Sequence, residues 1–186
     1  LIVIIFLFII FLRYNEKIGI ENDSKTFLIT LSILMIFLDL SEDIVRVFTG
    51  FYSINKDLPL QLCSIGVYLG AYNLIYRNQT IFNLIFYWGF VGATNAILTP
   101  DGDLFELKIF FFYSQAYHAA LIFAVLWMII KYGMWMEYKS IFQVVLYTNV
   151  IVGIITIINF ALDSNYMFLR IMPNSISPFL MGQWPT

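Results

Sequence analysis

The stretch "IFFFYSQAYHAALIFAVLWMII", Ile109–Ile130, decides the fold. It contains no Asp, Glu, Lys or Arg, and it is long enough to cross a bilayer as one helix, which needs about 20 mainly apolar residues. Its one histidine, His118, lies in the middle, with Ser114 and Gln115 one turn earlier on the same face.

Similar apolar segments recur on both sides. Helices are expected at about 1–12, 26–49, 59–76, 80–99, 105–130 and 139–162. Short polar breaks separate them: "RYNEKIGIENDSK", "GFYSINKD", "RNQ", "TPDGD" and "KYGMWMEYK". The chain is 61% hydrophobic and 12% charged, with a mean hydropathy of +0.83. Soluble domains carry roughly 25% charged residues, so this composition belongs in a membrane. The expected fold is all-α: a polytopic transmembrane helix bundle with about six spans, forming one domain over residues 1–186.

Both ends read as truncated. Leu1 starts inside the run "LIVIIFLFIIFL", too short to span, and the chain stops at "GQWPT". The closing segment "DSNYMFLRIMPNSISPFLMGQWPT" holds three prolines and is expected at the interface or re-entering the bundle.

Charge sets an expected orientation in a cell membrane. Arg13, Lys17, Lys25, Arg77, Lys131 and Lys139 fall in alternate breaks, against Lys56, Lys108, Arg170 and the helix-end Arg46. Positively charged loops favour the cytoplasm, so the first set is expected there. The net charge of −2 gives no reason to expect nucleic acid; membrane lipids are the expected partners. A single cysteine excludes an internal disulfide. One His and one Cys are too few for a zinc site, and no metal or cofactor is expected.

Polar groups within a span are costly unless paired or wet, and they mark sites by default. Asp39, Glu42, Asp43 and Arg46 share one stripe. Glu42 and Asp43 read as a helix end in the headgroup region, paired with Arg46. Asp39 follows an unbroken apolar run, and could orient an imidazole or bind a polar headgroup. Cys63, Gly66, Gly70 and Asn73 share another stripe. Small residues there suit close helix packing, and free Cys is often an inert core residue. Pro59 suits a first helical position, which would put Cys63 near the first turn. There, backbone N–H groups and the helix dipole favour an anion. Gln61 adds a nearby amide. Trp88 and Asn95 line one face of the next helix, and Asn149, Gly153 and Thr156 line one face of the last. Polar glue between helices explains any one of these, whereas together they suggest a polar interior.

Cys plus His is the minimal pair for nucleophilic acyl transfer. Counting from the helix starts at 1.5 Å per residue separates Cys63 and His118 in depth by about 7 Å.

Four blocks, "LPLQLCSIGVYLGAYNLIY", "FYWGFVGATNAILTPD", "QAYHAALIF" and "SNYMFLRIMPNSISPFLMGQWP", together resemble the YwaF family of bacterial integral membrane proteins over about residues 40–186. The Asn-Tyr-Met and Gly-x-Trp-Pro blocks are the specific ones. Family members commonly carry His where this chain has Gln61, and usually have one further helix after Trp-Pro, making seven. The resemblance extends to an animal membrane protein that moves polyunsaturated acyl chains onto ether phospholipids with a proposed Cys/His pair. It implies that Cys63 and His118 hold those two positions. The reading is a phospholipid acyltransferase, with Asn95, Gln115 or Gln61 donating to the oxyanion. Asp39, Trp88 and Asn149 would bind or orient substrate. The rivals are a non-enzymatic carrier or binding protein with a polar cavity, and a structural bundle held by polar glue.

Overall fold

The computed structural model describes residues 25–100 and 108–171. Five long helical elements follow one another: α1 (Lys25–Thr49), α2 (Leu62–Tyr76), α3 (Gln79–Leu98), α4 (Lys108–Tyr132) and α5 (Ile141–Leu162). Short 3-10 turns at Tyr138–Ser140 and Tyr166–Phe168 flank α5. The expected helix over 1–12, the "TPDGD" turn beyond Pro100 and the Trp-Pro block lie outside the described residues.

Among the described residues, three helices are long and apolar enough to cross a membrane: Gln79–Leu98, Lys108–Tyr132 and Tyr138–Leu162. The helix α1 has the length, at 25 residues, but carries Asp39, Glu42, Asp43 and Arg46. At 15 residues α2 reaches only about 22 Å, short of the ~30 Å apolar core.

Two helices depart from expectation. The start of α2 is Leu62, not Pro59. Gln61 occupies the N-cap with extended backbone, and its side chain caps nothing in the helix. Its Oε1 instead accepts from the Met167 N–H at 2.9 Å. Cys63 is consequently the second helical residue. The second departure is in α3, which opens into a π-helical turn over Phe86–Val91.

The helices α1 to α4 pack around Leu121, which is fully buried. Three glycines make the approach possible. A Cβ on Gly66 or Gly70 would sit 3.3 or 3.2 Å from Leu121, and one on Gly89 would sit 3.0 Å away. Lipid is as apolar as leucine, so such close packing supplies much of the association between membrane helices. Ser32 Oγ adds a 2.9 Å bond to the Ala71 carbonyl between α1 and α2. More peripheral is α5. Val144 packs with Leu84 and Trp88, and Trp88 Nε1 donates to Thr148 Oγ1 at 2.9 Å. The outer face of α5 exposes Phe142, Leu146, Ile154, Ile157 and Phe160.

Contacts divide the bundle into two ends. At one, Arg77 stacks on Tyr132, and Gln79 Nε2 donates to the Trp135 carbonyl at 2.8 Å. At the other, the Arg46 guanidinium lies 4.0 Å from the centre of the Phe110 ring and Gln61 meets Met167.

The Asn-Tyr-Met block ties this second end together. Asn159 Oδ1 accepts from the Tyr166 N–H and from Ser164 Oγ, while its Nδ2 donates to the Tyr166 carbonyl. The chain folds back there because Asp163 adopts the left-handed conformation that ends α5. Tyr166 reaches into the loop between α1 and α2. Its hydroxyl donates to the Ile54 carbonyl and accepts from the Leu58 N–H at 3.1 Å. Burial pushes this phenol above its ordinary value, so it stays an O–H donor at neutral pH. Tyr166→Phe strands both backbone groups. The expected cost is about 1–3 kcal/mol, read as a lower unfolding temperature of the detergent-solubilised protein.

Candidate functional site

Helix register brings polar groups from three helices to one depth. The first register is that of α2 against α4, which run parallel. Gly66 meets Leu121, and Asn73 Nδ2 meets Met128 Sδ at 3.3 Å. Each pair is 55 residues apart, the same separation as Cys63 and His118. The two side chains therefore stand at about the same depth, and the offset of about 7 Å expected from counting disappears because the helices do not start level: Leu62, the first residue of α2, lies level with Tyr117, nine residues past the start of α4.

The helix α1 runs antiparallel to both. Phe27 meets Trp127 at one end and Arg46 meets Phe110 at the other. The same register sets Asp39 opposite Gln115–Tyr117. Against α2, Asp39 interacts with the Ser64 and Tyr68 hydroxyls. The fourth wall is α3: a Cβ on Gly92 would lie 3.4 Å from Cys63 Sγ. Asp39, Cys63, Gly92, Tyr117 and His118 thus form one polar layer.

Within that layer Cys63 Sγ donates to the Trp88 carbonyl at 3.8 Å. Trp88 lies in the π-helical turn, where the usual i→i−4 ladder is opened; such turns are frequent at functional sites. His118 is buried, at 4% exposure. Its Nδ1 stands 2.7 Å from the Ser114 carbonyl and 3.4 Å from Ser114 Oγ. A carbonyl can only accept, so Nδ1 carries a proton. In the neutral ring, Nε2 is then the free acceptor. Cys63 and His118 share a depth but no hydrogen bond.

The Tyr117 ring lies tilted against His118, with ring centroids 4.1 Å apart. Its hydroxyl interacts with the Ser114 side chain and lies within electrostatic reach of Cys63, Asp39 and Glu42. Asp39 is 5% exposed, and its Oδ2 has no hydrogen-bond partner. Towards the bundle end, Glu42 accepts from Arg46 Nε and Nη2 at 3.2 and 3.0 Å, and Asp57 Oδ1 lies 3.6 Å from Arg46 Nε. Asp43 lies within electrostatic reach of the same group.

The remaining expected site residues divide. Gln115 is half-buried, with a buried Nε2 that has no partner. Gln61 is engaged by Met167, and Pro59 sits in the irregular segment before α2. Trp88 is buried, with its indole on Thr148. Asn95 and Asn149 do not join a shared interior: both are exposed, and Asn149 Nδ2 bonds the Val145 carbonyl of its own helix. The α5 stripe is displaced by one residue, so Thr148 faces inward in place of Asn149. Tyr117, Tyr68 and Ser64 carry no mark of their own in the sequence, where each sits within an apolar helical run. The constant 55-residue spacing that exposes them needs known contacts.

The sequence model of the TMEM164 family matches residues 1–186, the whole chain. The chain belongs to the TMEM164 family. This family assignment and the apolar helices make it a membrane protein, in a lipid environment. No curated protein and no solved structure matches it.

Proposed function

We propose that this member of the TMEM164 family is a multi-pass phospholipid acyltransferase, akin to the YwaF proteins its motifs resemble, with Cys63 as nucleophile and His118 as base. The observation that carries the reading is the tautomer of His118. The Ser114 carbonyl fixes Nδ1 as N–H, which leaves Nε2 unprotonated at the depth of the thiol. A nucleophile paired with a base that a third group orients is the general plan of acyl-transfer sites.

Cys63 Sγ attacks the ester carbonyl carbon of a membrane lipid, and its proton passes to His118 Nε2. The C–O bond breaks, the departing lysolipid oxygen takes that proton, and the acyl group remains as a thioester. An acceptor hydroxyl then gives its proton to Nε2 and attacks the thioester, which restores the thiol. Of the three amides considered for the oxyanion, Gln115 is the one with an unpartnered N–H. Asn95 is exposed and Gln61 is occupied.

The test is acyl exchange between two defined phospholipids in vesicles carrying purified protein. The wild type is expected to form the exchanged species; no exchange with any phospholipid pair overturns the enzyme reading. A carrier reading draws on the acidic end, where Asp39, Glu42, Asp43 and Asp57 gather around Arg46. A carrier moves ligand with covalent bonds intact and keeps its activity in Cys63→Ser.

The proposed orientation puts the end with Arg77 and Lys131 in the cytoplasm. Lys25→Cys is then expected to resist a membrane-impermeant thiol reagent applied to intact cells, tested in a Cys63→Ser background. Labelling of Lys25→Cys from outside would reverse the orientation.

A further inference from the structure

We infer that Tyr117 is a catalytic hydrogen-bond donor, its hydroxyl stabilising the oxyanion formed when Cys63 attacks the lipid ester. The inference rests on the acyl-transfer reading and assigns a role to a side chain which that mechanism leaves unused.

Three placements carry it. Register from two separate helix pairs, α2 with α4 and α1 with α4, puts Tyr117 in the layer of Cys63, His118 and Asp39. Its ring lies tilted against the imidazole that serves as base, with centroids 4.1 Å apart, so the phenol is held beside His118. Its hydroxyl interacts with the Ser114 side chain and lies within electrostatic reach of Cys63.

Chemistry supplies the need. As the Sγ–C bond forms, the carbonyl π pair moves onto oxygen and the thiol proton moves to His118 Nε2. The oxyanion arises inside the bundle, in the same layer as the buried Asp39. A neutral O–H donor stabilises it without adding a charge to an apolar interior. Tyr117 keeps its own proton throughout. When the lysolipid oxygen departs with the proton from Nε2, the carbonyl re-forms and the hydroxyl is released unchanged. Gln115, two residues earlier in α4, carries a further buried N–H with no partner.

Tyr117→Phe keeps the ring and its contact with His118 and removes only the donor. Loss of one oxyanion donor lowers kcat by about 10²–10³-fold. The expected result is a fall of that size in acyl exchange and in single-turnover acylation of Cys63, with KM for the donor lipid unchanged. A variant with 3,5-difluorotyrosine at position 117 keeps the O–H and is expected to retain exchange, which guards against a folding defect in Tyr117→Phe. Cys63→Ser is run in parallel. If Cys63→Ser is inactive while Tyr117→Phe stays within about threefold of wild type, well short of a lost donor, the role of Tyr117 is overturned and the nucleophile reading stands. A fall in which KM rises and kcat does not change also overturns it, because the hydroxyl would then bind ground state and transition state alike. If Cys63→Ser retains exchange, the acyl-transfer reading itself fails.

Discussion

Cys63→Ser is expected to abolish lipid acyl exchange while leaving the protein folded. Serine has nearly the same shape, so packing against Gly92 and the Trp88 carbonyl is kept. Its hydroxyl is far less ionised than a thiol near neutral pH and is a poor nucleophile without strong activation. His118→Ala should cause a similar loss, and the double variant should be little worse than either single one. Residues that act as one catalytic unit are strongly non-additive. Independent, multiplying losses in the exchange assay would show that the two side chains do not act together.

The second large effect is on the fold. Leu121→Ala is expected to cost about 2–5 kcal/mol, since the vacated volume faces Gly66, Gly70 and Gly89, which have no side chains to fill it. The same substitution should lower acyl exchange at temperatures where the protein stays folded. Leu121 sets the register that levels Cys63 with His118, and small displacements at a reacting centre are expensive. Chemical denaturation in detergent reads the first effect and vesicle assays read the second. A cost below about 1 kcal/mol would mean that neighbouring side chains collapse into the space, and that the glycines do not define the packing.

These two predictions draw on different parts of what the sequence makes legible. The C-terminal ends of the described helices were readable to within about two residues, because polar breaks such as "RNQ" and "KYGMWMEYK" interrupt long apolar runs. The observed ends Thr49, Tyr76 and Leu162 fall at or within a residue of those breaks. Cys63, His118 and Asp39 stood out because each is a costly or unusual group in such a run.

What stayed hidden depends on tertiary contacts. The start of α2 shifts from Pro59 to Leu62 because Tyr166 and Met167, more than 100 residues away, take up Leu58 and Gln61. The apparent depth mismatch between thiol and imidazole came from assuming that the two helices start level, whereas α2 begins opposite Tyr117, nine residues past the start of α4. The π-helical turn at Trp88 has no sequence mark, since "FYWGFV" reads as any apolar helix. Rotation about α5 was misjudged by one residue, so Asn149 was expected where Thr148 faces the indole. A stripe on a helix that is apolar nearly all round gives little rotational information, because no polar face opposes it.

The central claim is that Cys63 carries the acyl group. It is tested most directly by intact-protein mass spectrometry after incubation with phospholipid, followed by peptide mapping. The account predicts an added acyl mass on the Cys63 peptide, labile to hydroxylamine as a thioester should be, abolished in Cys63→Ser and accumulating when no acceptor is supplied. Lipid exchange that proceeds with Cys63 unmodified at every time point, and undiminished in Cys63→Ser, would contradict it.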